Sequence, residues 1–437
     1  MIALALILIA QTEDTAQPAL TATLAAEMPR PVASVTLAEL LEAADTQNID
    51  RRISVEQLRR SDAEVRAAWT ALLPGLGVSA GWVHNQYPAV IPAGRLGPDE
   101  ITITPQDQLE VAARIDLPLI DAQRWMRISI AEAAREGVSA REALTLDQVR
   151  KGVTTGWYSY AAALALKTSA ERSVQAAEAQ LKLQEIRSRA GATTELDLLR
   201  ARAEVQRNLQ TVADAVRLIA LSRRNLRTLS GKDPGEAAQL PADSLRPVAP
   251  LSELEARVDD LPVVRAASQD VRVSEKVSTA AKLVLVPTIG AQFTERVSNA
   301  GGFTGEAASF NLGVNLQWRI DVPTFMSWDV QSSNVALAAL ALEKVKLGAR
   351  DQINSDWQNV QAALIKVQAT KAQVEAAARA REVANIRYQA GASTQIEVIQ
   401  ADRDLFGAEV QQIQAQGDLV SARVSLQISA GLPLETP

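Results

Sequence analysis

One construction is written twice in this 437-residue chain, and it alternates sheet suited to a membrane with helix suited to water. Ile186-Arg187-Ser188-Arg189-Ala190-Gly191-Ala192-Thr193-Thr194 returns 200 residues later as Ile386-Arg387-Tyr388-Gln389-Ala390-Gly391-Ala392-Ser393-Thr394. Trp157 and Trp357 keep that spacing, as do Gly231 and Gly431. Arg114-Ile115-Asp116-Leu117-Pro118 returns 205 residues on as Arg319-Ile320-Asp321-Val322-Pro323. Leu72-Leu73-Pro74 is answered by Leu285-Val286-Pro287, 213 residues on. A duplicated unit is an architecture in itself. Each copy reads helix, strand, strand, very long helix, tight turn, long helix. This predicts repeats over residues 36–230 and 251–431, a Pro-rich linker over 231–250, an N-terminal extension over 11–35 and a tail over 432–437.

The four strands alternate in character. Leu76, Val78, Ala80 and Trp82 share one face near Gly75–Tyr87. Near Gln108–Leu119, Leu109, Val111, Ala113, Ile115 and Leu117 oppose Gln108, Glu110, Arg114 and Asp116. The third strand, Thr288–Val297, is interrupted by Glu295. The fourth, Ser309–Val322, is the cleanest: Phe310, Leu312, Val314, Leu316, Trp318, Ile320 and Val322 face Asn311, Gly313, Asn315, Gln317, Arg319 and Asp321. Side chains along a strand point alternately to opposite faces. Strands of about ten residues suit a tilted bilayer crossing, and a charged inner face suits a water-filled lumen. A sheet packed on a soluble core is the competing reading. Tyr87, Trp125, Phe310, Trp318, Phe325 and Trp328 lie near strand ends, as an aromatic girdle requires.

Four strands cannot close a barrel. An open edge in lipid leaves backbone groups unpaired, at several kcal/mol each. Three copies give twelve strands, wide enough to hold water, whereas two give eight, which side chains fill. A conduit therefore predicts a homotrimer, with Glu110, Arg114, Asp116, Gln317, Arg319 and Asp321 in the barrel lumen. The Gly/Pro-rich stretches 86–104 and 298–307 read as loops.

Prolines are absent from about Ala122 to Arg187 and from about Thr324 to Arg387. Each span is roughly 100 Å long if helical. The stripes are narrow: Ile353, Trp357, Val360, Leu364 and Val367 on one helix, Val205, Leu209, Val212 and Val216 on another. Spacing near 3.5 is a coiled-coil seam. Gly191 and Gly391 suit the left-handed position after a helix end. Thr194 and Thr394 then read as N-caps, with Asp197 and Glu397 three residues on.

Composition narrows the function. Cysteine is absent, which excludes disulfides, thiolate metal sites and cysteine nucleophiles. No basic patch recurs with aromatics, so nucleic acid is not expected. His84, the one histidine, has no carboxylate constellation or phosphate-binding loop beside it, so neither enzyme chemistry nor a cofactor or metal is expected. Residues 1–10 (MIALALILIA) read as a secretory-signal core without its basic flank.

Taken in order and duplicated, the Leu-Leu-Pro and Leu-Val-Pro strand entries and both Ala-Gly-Ala hairpins resemble the TolC-like outer-membrane efflux proteins, over nearly the whole chain from about Thr36. The resemblance implies a mainly α protein with a transmembrane β portion: a trimeric twelve-stranded barrel in the outer membrane of a Gram-negative bacterium, continued by a helical periplasmic tunnel. It implies a periplasmic adaptor and an inner-membrane pump as partners, and passive efflux or type I secretion as the function. A periplasm-spanning structural protein that does not conduct is the alternative. The tips Ala190, Gly191, Ala192, Ala390, Gly391 and Ala392 would dock the adaptor. The family's gate places an Asp at Asp197 and a Tyr at Tyr388; its Arg position holds Ser393 here. An acidic ring falls at Glu397, with Gln400 at the second ring position. Read as helix chemistry alone, Asp197 and Glu397 are caps and Tyr388 is interhelical packing.

Overall fold

The computed structural model describes residues 35–433, apart from 96, 97, 99, 236, 237, 242–244 and 321. The signal segment expected at 1–10, nearly all of the extension at 11–35, Asp321 and the last four residues lie outside the described residues. The first repeat runs α1 (Leu37–Gln47), α2 (Ile49–Thr70), β1 (Gly75–His84), β2 (Ala89–Ile91), β3 (Ile101–Thr104), β4 (Asp107–Ile120), α3 (Ala122–Arg189) and α4 (Glu195–Ser230). The second runs α5 (Leu251–Glu255), a 3-10 turn (Val258–Asp260), α6 (Pro262–Lys282), a second 3-10 turn (Leu283–Leu285), β5 (Thr288–Ser298), β6 (Ala308–Gln317), α7 (Val322–Gln389) and α8 (Gln395–Ser429).

Sheet and helix occupy separate parts of the chain's course. One antiparallel sheet has the order β1-β4-β5-β6, leaving β1 and β6 as its edges. Every residue of β1 is exposed, as is nearly every residue of β6. The apolar face of the sheet therefore covers nothing among the described residues: Val78, Trp82, Leu312, Val314 and Leu316 are each more than 60% exposed. No helix among the described residues is long and apolar enough to cross a membrane.

Two apolar clusters hold the helices. One joins Leu40, Val149, Val153, Trp157, Tyr160, Leu226, Val420 and Val424. The other joins Leu254, Val258, Val264, Ile353, Val360, Val367, Leu419 and Leu426. Fully buried members such as Leu40, Val153 and Ile353 (0% exposed) each contribute about 1.5–3 kcal/mol. The linker is strapped to these clusters: Tyr160 donates to the Gly235 carbonyl at 2.5 Å, and Trp357 Nε1 to the Ala249 carbonyl at 3.1 Å. Ion pairs bind the short helices to α3, among them Arg150–Asp45 at 2.6 Å and Arg135–Asp62 at 2.5 Å.

Several expectations need correction. The fourth strand ends at Gln317, not Val322. Trp318, Arg319 and Ile320 lie in no strand, and Val322 and Pro323 already belong to α7. The two motifs are thus not structural equivalents: Arg114, Ile115 and Asp116 lie within β4, whereas Arg319 and Ile320 lie between β6 and α7. A proline is tolerated in the first helical turn, where its missing N–H has no partner to lose. Pro118 is instead tolerated at a bulge, where the β4–β5 register shifts between Pro118 and Ile120. The 86–104 stretch is not all loop, since β2 and β3 pair within it. The single helix expected ahead of the first strand is two, broken at Asn48.

Asn48 makes that break by capping α2. Its side chain accepts from the backbone N–H of Asp50 (2.9 Å) and of Arg51 (3.2 Å). Its amide donates to the Leu229 carbonyl at the end of α4, at 2.9 Å. The residue is 4% exposed. Asn48→Ala removes a cap and orphans a part-buried carbonyl, so it should destabilise by about 2–3 kcal/mol in urea unfolding followed by circular dichroism. A loss below roughly 0.5 kcal/mol would show the break to be maintained by packing alone.

Candidate functional site at the hairpin tips

The α3–α4 and α7–α8 turns are built alike. Gly191 (φ 69°) and Gly391 (φ 73°) sit in the left-handed region. Ala192 N–H reaches the Arg187 carbonyl at 2.8 Å and Gly191 N–H the Ser188 carbonyl at 3.0 Å. Ala392 with Arg387 (2.8 Å) and Gly391 with Tyr388 (3.1 Å) repeat the pattern. This is the Schellman arrangement, which a Cβ-bearing residue at the glycine would strain. Ala190–Ala192 and Ala390–Ala392 are all exposed. So are the large apolar side chains beside them: Ile186, Leu196 and Leu199 at one tip, Ile386 and Ile396 at the other.

The caps differ between the tips. Thr194 accepts from the Asp197 N–H at 3.2 Å and donates its hydroxyl to Asp197 Oδ2 at 2.7 Å. Arg200 approaches the same carboxylate at 3.5 Å. At the second tip the Thr394 hydroxyl makes no bond to a helix N–H. Glu397 collects hydroxyl donors instead, from Ser393 and from Thr394 at 3.3 Å. The Ser393 hydroxyl, foremost, holds the Glu397 carboxyl below its ordinary value, helped by Thr394 and the charge of Arg387. This carboxylate therefore stays charged through the ordinary carboxyl range, and the Ser393 and Thr394 bonds to its charged form are lost only as pH falls through the depressed value.

Tyr388 and Asp197, the two matching gate positions, are not bonded to each other within the chain. Tyr388 Oη accepts from Gln184 Nε2 at 2.6 Å, and Gln184 Oε1 accepts from the Thr193 hydroxyl at 3.0 Å. The Arg187 guanidinium stands 4.6 Å from the Tyr388 ring centre, a cation–π contact. Asp197 meets the second hairpin through its backbone carbonyl, which accepts from Gln395 Nε2 at 3.2 Å. Gln184 is fully buried and Gln395 nearly so. Sequence reading missed both, because a glutamine on a long polar helix carries no local signal.

It also missed an ion pair farther from the tips. Arg403 on α8 grips Glu204 on α4 at 3.1 and 2.5 Å. Arg381 and Asp402 tie α7 to α8 at 2.5 Å. A cavity of about 120 Å³ adjoins this pair, lined by Gln180, Glu204, Asn208, Asp402, Arg403 and Phe406 among others.

On the sheet, Glu110, Arg114 and Asp116 lie on the polar face of β4. Arg114 donates to Asp116 at 2.9 Å and to Gln292 on β5 at 2.9 Å, and Asn315 on β6 reaches Gln292 at 3.5 Å. Glu110 pairs loosely with Arg296 at 3.9 Å. Gln317 ends β6, Arg319 lies beyond it, and Asp321 is outside the described residues. His84 pairs with Asp107 at 2.8 Å on an exposed strand end. Among the described residues, no group of three or more His, Cys, Asp or Glu is placed to hold a metal ion.

Comparison with known proteins agrees with this architecture. The chain is 22% identical over 409 residues to nodulation protein T of Rhizobium leguminosarum bv. trifolii, covering 90% of this chain and 85% of that protein. It is 22% identical over 265 residues to the outer membrane efflux protein BepC of Brucella suis biovar 1 (strain 1330), covering 60% of this chain and 58% of that one. Solved structures share the fold. The outer-membrane channel OprN gives a TM-score of 0.75 at 19% identity, over 90% of this chain and 89% of that. CusC gives 0.77 at 15% identity, over 91% and 92%. The family model for outer membrane efflux proteins matches residues 40–232 and 257–432, most of the chain and both repeats. The chain therefore belongs to the outer membrane efflux protein family, the TolC-like channels, and resides in the outer membrane with its helical part in the periplasm.

Proposed function

We propose that three copies of this chain close a twelve-stranded barrel and continue it as a helical tunnel. The tunnel passively conducts substrates, received from a periplasmic adaptor and an inner-membrane pump, to the exterior. The observation that carries the reading is the sheet: four strands with two open edges and an uncovered apolar face, joined to helices of 68 residues. Such a helix spans about 100 Å, a length that a globular core does not need. The polar network of Arg114, Asp116, Gln292 and Asn315 would line the barrel interior. Its charges are mixed, so it favours neither anionic nor cationic cargo. Energy for transport comes from the pump, because the chain carries no nucleotide-binding motif.

The exposed small residues at the tips, flanked by Ile186, Leu196, Ile386 and Ile396, suit close approach by an adaptor's helices. Deletion of the gene should sensitise its host to pump substrates, and the wild-type chain should restore resistance. Ala392→Trp, which leaves the left-handed Gly391 alone, should insert normally yet fail to restore it. Full resistance without the chain would favour the structural alternative; full function of Ala392→Trp would move docking elsewhere.

Asp197, Tyr388 and Ser393, with Glu397 as an acidic ring, form the proposed periplasmic gate. With serine in place of the family's arginine, closure rests on the Gln184–Tyr388 bond, the Arg187–Tyr388 contact and the Asp197 carboxylate. Removing the neutral Gln184–Tyr388 bond shifts an equilibrium by about 0.5–1.5 kcal/mol and removing the charged Asp197 acceptor by about 1.5–3 kcal/mol, so both together exceed roughly 10-fold. The double variant Tyr388→Phe, Asp197→Ala should therefore raise open probability in planar bilayers by at least about tenfold. Unchanged conductance would leave Asp197 as a helix cap and Tyr388 as packing.

A further inference from the structure

We propose that the cavity between the two helical hairpins is a small-molecule site, shaped for a flat uncharged ring that carries a hydrogen-bond acceptor such as a carboxamide carbonyl. Its occupant holds the hairpins together one helical turn from Gln184, the partner of Tyr388. The site stands on the structure of a single chain; its effect on opening rests on the channel and gate proposed above.

The cavity arises where small side chains meet across helices. Ala176 and Ala177 of α3 and Ala201 of α4 leave a gap, which Ile399 and Phe406 of α8 close from the second hairpin. Ala177, Ala201 and Ile399 are buried. The gap measures about 120 Å³. An apolar cavity of about 150 Å³ takes up benzene, and a water molecule occupies about 30 Å³. The space therefore suits one ring or a few waters. A ring gains dispersion contact from the alanines and a stacking wall from Phe406. Each water needs two to four polar partners, which the alanines and Ile399 do not supply.

The polar groups around the gap set the chemistry of its occupant. The charges are already paired with one another: Arg403 grips Glu204 at 3.1 and 2.5 Å, Arg207 lies 3.5 Å from the same carboxylate, and Arg381 holds Asp402 at 2.5 Å. Asn208 Nδ2 donates to the Ser173 carbonyl at 3.3 Å. Gln180 differs. It lines the gap, and its Nε2 is buried with no hydrogen-bond partner among the described residues. A buried donor without an acceptor is costly and uncommon, and a carbonyl on the occupant would satisfy it. An ionised occupant would lose its hydration and find no unpaired counter-charge, so the occupant is neutral.

Coupling to the gate follows from where the walls originate. Gln180 is one helical turn from Gln184, whose amide donates to Tyr388 Oη at 2.6 Å. The first hairpin supplies α3 and α4, and the second supplies α8. The site is whole only while the hairpins adjoin. A ligand that binds the adjoined state and not the parted one favours it by a factor of one plus its concentration divided by Kd.

The chain has no cysteine, so a thiol placed in the wall reports occupancy. Ser173→Cys on α3 and Thr211→Cys on α4, both half-buried positions of the lining, are reacted with methyl methanethiosulfonate in the detergent-solubilised chain. The exposed position Glu178, as Glu178→Cys, is the reference. Benzamide should slow modification of both wall thiols saturably and leave the reference unchanged. Acetamide, which has the carbonyl but no ring, should protect neither. Gln180→Met keeps the bulk and removes the donor, so it should weaken benzamide about two- to tenfold. Wall thiols that react equally fast with and without benzamide would overturn the site and leave a hydrated gap. Benzoate protecting better than benzamide would overturn its neutral character. In planar bilayers, benzamide at about ten times its Kd should lower the open probability of the wild-type chain about tenfold, and Gln180→Met should blunt that fall. Protection without a change in open probability would overturn the coupling to the gate. A wild-type chain that never conducts would instead overturn the channel reading, while thiol protection would still decide the site.

Discussion

The structure depends on a constraint of the backbone. As the edges of the sheet, β1 and β6 each present one row of N–H and C=O groups without a strand partner among the described residues. In water those groups are solvated. In hydrocarbon each costs several kcal/mol, so a sheet of this kind persists there only as part of a closed ring. In the proposed channel the sheet lies in hydrocarbon. The exposed apolar face of Val78, Trp82, Leu312, Val314 and Leu316 then becomes the face toward lipid, and the polar network around Arg114 and Gln292 the face toward water.

The helical part obeys a different balance. Its buried stripes are thin, and much of its cohesion lies at two apolar clusters where the short helices and the Pro-rich linker wrap the long ones. Toward the tips, contact between the hairpins passes to specific polar bonds: Arg403 to Glu204, Gln184 to Tyr388, Gln395 to the Asp197 carbonyl. Polar bonds between preformed helices are individually modest and can be exchanged for water. In the proposed channel, that makes the tips the part able to move, while the waist stays fixed.

Local chemistry was legible in the sequence; long-range pairing was not. The tip turns could be read because a glycine in a left-handed position is decided within about six residues, although of the two threonines expected as caps only Thr194 makes the bond to a helix N–H. Strand identity could be read because one face is uncovered and the alternation is clean. The end of β6 could not, since alternation continues through Trp318 and Ile320 although the ladder stops at Gln317. Helix and strand both accept that short apolar run, and the start of α7 decides it. Glu204–Arg403 and Gln184–Tyr388 join residues about 200 apart on polar helix faces, where no period or motif marks a partner. The second repeat of Arg-Ile-Asp misled for a related reason: identical letters occupy different places relative to the helix that follows.

Hydrogen–deuterium exchange of the protein in lipid tests the central claim most directly. If copies close the sheet into a ring, amides of β1 and β6 exchange as slowly as those of β4 and β5, because every row is paired. If the sheet remains open, alternate amides along β1 and β6 exchange rapidly while β4 and β5 stay protected, and the closed conduit is contradicted.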